Sequence, residues 1–131
     1  MKTGARPAYL VNRTASCDAS RPMEAKARTS EFLGERVPKF LGYFERLIHA
    51  SGGPYLNGRR ICYADLSLFQ IVEGLRYSFP NNMKRLERKV PRLINLHDKV
   101  AMRPNIKAYL SSDRRIPFNE GGIFRHYPAL D

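Results

Sequence analysis

Asp65 is the carboxylate that a search for catalytic side chains selects first, because it stands among apolar residues in Ile61-Cys62-Tyr63-Ala64-Asp65-Leu66. Its spacing points to a structural task instead. With Cys62 as the N-cap of a helix that begins at Tyr63, Asp65 falls at N3, where a carboxylate accepts the backbone N–H of the N-cap residue. Ile61 at N′ and Leu66 at N4 are then placed to form a hydrophobic staple. His49, His97 and His126 lie far apart and make neither an HExxH pattern nor a His–carboxylate spacing suited to a metal. His97 falls on the inward side of its helix near Leu93 and Ile94 and reads as a hydrogen-bonded core residue rather than a base. Cys17 and Cys62 are too few for a disulfide scaffold or a zinc site. Neither has a recognisable partner for nucleophilic work, and two reduced thiols fit a cytoplasmic location. There is no P-loop and no GxGxxG. No catalytic residue, no metal ligand and no cofactor bound by this chain alone is expected.

The charge carries a different suggestion. In 131 residues, 23 basic and 12 acidic side chains leave a net charge of +11 and a pI near 10.1. Lys84, Arg85, Arg88, Lys89 and Arg92 cluster within nine residues, as a phosphate-binding surface would need for salt-sensitive affinity. Met83, Leu86 and Val90 interrupt them at positions a bundle helix uses for its core, so a solvated helix face is the preferred reading. Nucleic acid is possible but not favoured.

The elements that position these residues are helical. Val37, Phe40, Leu41, Phe44, Leu47 and Ile48 fall at i, i+3, i+4, i+7, i+10 and i+11, with Pro38 at an early helical position and Ser51-Gly52-Gly53-Pro54 as a stop. Met23 to Arg36 reads as a separate, more solvated helix. Tyr63 to Phe79 is apolar nearly all round and is expected to be buried on most of its surface. Asn82–Lys89, Pro91–Met102 and Pro104–Leu110 follow as shorter helices. No alternating strand pattern competes, so the fold class is all-α, a bundle of about six helices. No apolar run is long enough to cross a membrane.

The two ends differ from this body. Residues 1–22 are basic and without periodicity, and their best apolar run, Ala8-Tyr9-Leu10-Val11, is too short for a secretory signal. They read as a disordered or atypical leader, with residues 23–131 as the domain. The tail from Ser111 to Asp131 places Ile116, Phe118, Ile123, Phe124 and Tyr127 around Gly121-Gly122, and so much apolar surface is expected to pack back over the body.

Residues 31–131 resemble the C-terminal helical domain of a cytosolic glutathione transferase. The resemblance rests on Pro54-Tyr55-Leu56-Asn57-Gly58, which leads into Ile61-Cys62-Tyr63-Ala64-Asp65-Leu66-Ser67-Leu68-Phe69. The tail segments Arg114-Arg115-Ile116-Pro117-Phe118-Asn119-Glu120 and Gly122-Ile123-Phe124-Arg125-His126-Tyr127-Pro128 add to it. Where that family has Ser or Thr at the N-cap, this chain has Cys62. The resemblance implies conjugation of glutathione, as co-substrate, to hydrophobic electrophiles. It also implies that a thioredoxin-like domain, missing from these residues, binds glutathione and activates its thiol. This chain would then supply a hydrophobic substrate wall, with Ile116, Phe118, Phe124 and Tyr127 as pocket candidates, and part of a dimer surface. Alone it is expected to be inactive and to self-associate through the Met23–Ile48 helices. The alternative is a non-enzymatic helical interaction module whose basic surface meets RNA or acidic protein partners.

Overall fold

The computed structural model describes residues 22–131; the leader, Cys17 included, lies outside the described residues apart from Pro22. The chain opens with α1 (Pro22–Glu31), a π-helical segment (Phe32–Arg36) and α2 (Val37–Ser51). These run on without a break, where the sequence reading expects two helices. Pro38 explains the π segment. An interior proline has no N–H to donate and its ring collides with the carbonyl four residues back. Widening the preceding turn, so that the Val37 N–H bonds to the Phe32 carbonyl, lets the helix pass the proline. The helix stops at Gly52, whose φ of 70° is the left-handed conformation that glycine adopts without a Cβ penalty.

The stripe on α2 divides into two rows. Val37, Leu41 and Ile48 are buried and Phe44 packs against them, whereas Phe40, Tyr43 and Leu47 sit one row over and are exposed. Each residue advances the helix by roughly 100°, so a stripe spanning both rows is wider than the face that one neighbouring helix covers.

Three further helices start at prolines: α4 (Pro80–Leu86), α5 (Pro91–Ala101) and α6 (Pro104–Leu110). A 3-10 turn, Glu87–Lys89, links the first two. Between α2 and α4 runs α3 (Tyr63–Ser78), which packs against α5, as α2 does. The core lies where these three meet, with Val72, Leu93, Leu96 and Val100 fully buried. Burying side chains of this size contributes about 1.5–3 kcal/mol each. Burial of α3 is less complete than its all-round apolar character suggests: Tyr63, Leu66 and Ile71 remain exposed. Among the described residues there is no strand beyond isolated bridges in the turn at 55–60.

The tail does return to the body. Its path is pinned by Phe118 stacked on Tyr77 (5.1 Å), by Phe124 edge-on to Phe118 (5.9 Å), and by His126 Nδ1 at 3.1 Å from the Ser78 carbonyl. Asp131 closes it, accepting the N–H groups of Asn81 at 2.8 Å and Asn82 at 3.0 Å at the start of α4.

Candidate functional site, an apolar groove beside a charged cluster

Asp65 is completely buried, and both of its oxygens are used. Oδ2 accepts the Cys62 N–H at 2.7 Å and Oδ1 accepts the Leu56 N–H at 3.0 Å. The carboxylate therefore ties the start of α3 to the preceding turn. Cys62 is extended, as an N-cap is, and half-buried. Its sulfur faces the Asp65 amide as the N-cap member of a capping box, and the same amide lies 3.1 Å from the Cys62 carbonyl. Ile61 packs against the core, while Leu66 turns part of its side chain into a surface groove.

That groove, about 210 Å³, lies between α3, α6 and the first part of the tail. Leu66, Phe69 and Gln70 come from α3; Ile106, Tyr109 and Leu110 come from α6; Arg115, Ile116 and Phe118 close it from the tail. Of the four tail residues singled out in the sequence, two meet here. Ile116 projects into solvent, 81% exposed, at the lip, and Phe118 forms the wall. Phe124 stands behind Phe118, its ring laid against Gly74 so closely that a Cβ there would come within 2.4 Å of it. Tyr127 lies further along, half-buried, and its carbonyl accepts the Leu130 N–H. The contributions of Phe69 and Tyr109 escape sequence reasoning because helical periodicity assigns them a face but not a neighbour. A second depression, about 400 Å³ beside Tyr55, Asp98 and Met102, is larger but open to solvent across most of its extent and encloses nothing.

Next to the groove lies a charged cluster. His97, 4% exposed, is stacked on Phe69 at 4.8 Å between ring centroids. Its Nε2 is 2.8 Å from Glu73 Oε1 and its Nδ1 is 2.9 Å from Asp98 Oδ1, so it is a hydrogen-bonded core residue. Arg76 donates Nε–H to Glu87 at 2.6 Å and places Nη1 3.4 Å from both ring nitrogens of His97. The hydrogen bond to Glu87 and the negative charges of Glu87, Glu73 and Asp98 outweigh burial and hold the Arg76 guanidinium above its usual range, so it stays charged. Arg115 reaches the other Glu73 oxygen at 3.3 Å. Among the described residues no group of three or more His, Cys, Asp or Glu side chains converges as a metal site.

The bundle and its groove define an all-helical domain with a small apolar cleft. Its sequence matches the family described as "Glutathione S-transferase, C-terminal domain" over residues 12–113. The chain belongs to that family. It is similar to "Glutathione S-transferase" of Plasmodium yoelii yoelii, 33% identical over 88 residues that cover 66% of this chain and 40% of the relative. The "Glutathione S-transferase" of Plasmodium falciparum (isolate 3D7) is 30% identical over 94 residues, covering 66% and 42%. "Glutathione S-transferase P" of Caenorhabditis elegans is 34% identical over 95 residues, covering 70% and 44%. The chain thus spans less than half the length of the curated relatives it matches.

Proposed function

We propose that the groove between α3, α6 and the tail is the surface on which a glutathione transferase receives the apolar part of its electrophile. The observation that supports this is the convergence of Phe69, Tyr109 and Phe118 from three separate segments on one mostly apolar cleft, with Gln70 and Arg115 among its lining. Ligand sites are concave, mostly apolar and fixed by few polar groups. In the parent reaction the glutathione thiolate sulfur bonds to the electrophilic carbon, and the leaving group departs with its electron pair. Among the described residues nothing is placed to generate that thiolate. Asp65 is committed to two backbone amides, Cys62 to the start of α3, and His97 to its carboxylates. The thiolate-stabilising group then belongs to a thioredoxin-like glutathione-binding domain, and these 131 residues alone conjugate no faster than solution chemistry. Mixing the purified chain with glutathione and 1-chloro-2,4-dinitrobenzene tests this. Conjugation well above the spontaneous rate would overturn it.

The same reading places the protein in the cytoplasm and assigns it a homodimeric or self-associated state. The support for self-association is the exposed row of Phe40, Tyr43 and Leu47 on α2, within the Met23–Ile48 stretch. Among the described residues, no helix is long and apolar enough to cross a membrane.

A second reading has one observation in its favour. Lys84, Arg85, Arg88 and Lys89 are all exposed, and the nearest acid in sequence, Glu87, is turned away to Arg76. A helical interaction module that meets RNA or acidic proteins would use such a ridge. Its binding to tRNA would fall steeply between low and physiological salt; no binding at low salt removes this reading.

A further inference from the structure

The tail is held unevenly, and the difference lies at the groove. Its distal part is fixed by close contacts: Phe124 on Gly74, His126 on the Ser78 carbonyl, and Asp131 on two amides of α4. Its proximal part, which forms one wall of the groove, bonds mainly to itself and to the end of α6. The N–H groups of Ser111, Ser112 and Arg115 go to the carbonyls of Lys107, Tyr109 and Ser112. Ile116 is outside the packed core. Its last residue, Phe118, is held by the Tyr77 and Phe124 rings, and upstream of it the Arg115–Glu73 pair at 3.3 Å ties the wall to α3.

Glu73 is prepared for that pairing. Its Oε1 is held by His97 at 2.8 Å, with Arg76 Nη1 at 3.9 Å, so the carboxylate plane is set from inside the bundle and Oε2 is left for Arg115, which lines the groove. A carboxylate fixed in this way gives a long side chain one place to settle. Both partners stay partly open to water, their side chains 33% and 23% exposed, so the pair is a weak fastening and not a permanent one.

We propose that Arg115 is a positioning residue: through Glu73 it sets the width of the groove, and its release lets the wall at 112–118 swing out to admit a flat, uncharged aromatic ligand. The ligand part of this rests on the reading of the groove given above, whereas the pin between Arg115 and Glu73 does not. Segments with few buried contacts open locally without global unfolding, and amide hydrogen exchange reports each one separately.

The test is amide exchange on the whole chain, with wild type, Arg115→Gln and Arg115→Lys compared, alongside titration with the neutral fluorescent probe N-phenyl-1-naphthylamine. Arg115→Gln is expected to speed exchange of the bonded amides at 112 and 115 about threefold to fivefold, to leave that of Leu130 within about twofold, and to strengthen probe binding severalfold; weaker binding would overturn the release. Arg115→Lys, which keeps the charge, is expected to restore both readouts most of the way. Unchanged exchange at 112–118, or equal acceleration along the whole of 112–131, would overturn the pin. Expected exchange with no probe bound by any of the three proteins would overturn the groove as a ligand surface and keep the pin. Equal probe binding with unchanged exchange would do the reverse.

Discussion

Asp65 shows how one side chain can look catalytic in sequence and be structural in fact. Both oxygens accept backbone N–H groups, so removing them leaves two donors without partners in a region that water does not reach. Asp65→Ala is expected to cost about 2–4 kcal/mol in denaturant unfolding, and Asp65→Asn, which keeps one acceptor, less than that. Cys62 offers the opposite opportunity. Its sulfur is a weaker acceptor for the Asp65 amide than a hydroxyl, so Cys62→Ser is expected to stabilise the domain by about 0.5–1 kcal/mol. Gly74 is chosen for space and not for conformation. A methyl group there meets the Phe124 ring at 2.4 Å, and Gly74→Ala is expected to destabilise by about 1–3 kcal/mol. Pairing it with Phe124→Ala in a double-mutant cycle should recover part of that loss, since the two changes act on the same contact; full additivity would contradict the packing described.

At the scale of elements, the helix starts share a device. The residues preceding α4 and α5 are Phe79 and Val90, neither of which can cap a helix with its own side chain. The caps come from far away in sequence. Glu45 on α2 accepts the N–H groups of Arg92 at 3.1 Å and Leu93 at 2.8 Å, and Asp131 does the same for α4. A carboxylate on the first turn satisfies open amides and meets the positive end of the helix dipole. Glu45→Ala and Asp131→Ala are each expected to cost about 1 kcal/mol. Their local signatures differ: exchange of the first amides of α5 rises in one, and of α4 in the other. The Arg76–Glu87 pair joins α3 to the turn after α4. Because the Arg76 pKa is raised, the stability it contributes through its charge is complete below the ordinary arginine value and is lost only as pH climbs through the still higher folded value. Urea unfolding between about pH 7 and 10 should therefore show no loss attributable to Arg76, tested as the difference between wild type and Arg76→Gln.

At the scale of the molecule, the exposed row on α2 and the basic ridge at 84–89 make opposite predictions about salt. Association through Phe40, Tyr43 and Leu47 buries apolar surface and should persist or strengthen as salt rises. Light scattering across a concentration series should show a mass above 15.1 kDa, and Tyr43→Lys should move the population toward monomer. A clean monomer at every concentration would remove the self-association reading. Affinity through the ridge would fall with added salt, because it depends on displacing counterions. Light scattering of the chain alone and with tRNA, each at two salt concentrations, separates the two.

Much of the architecture was legible in the residues themselves. The prolines at 91 and 104, the Asp65 cap and the apolar stripe of α2 depend on contacts within a turn or two, which local spacing encodes, whereas the start at Pro80 and the division of that stripe into an inward and an exposed row do not. The passage of the helix past Pro38 was not legible, because a proline at a first turn and one following a π segment differ in their hydrogen bonds and not in their composition. Nor was the groove: Ile116 and Phe118 could be marked as apolar, but Phe69 and Tyr109 join them only after α3, α6 and the tail are brought together. The same holds for Glu45 and Asp131 as caps, whose partners are separated by 47 to 50 positions. By itself the sequence determined an all-helical domain with an apolar, returning tail, since periodicity and turn residues act locally. Only the tertiary structure decided which side chains share a cleft, because that depends on how whole helices pack and on which carboxylate reaches which open amide.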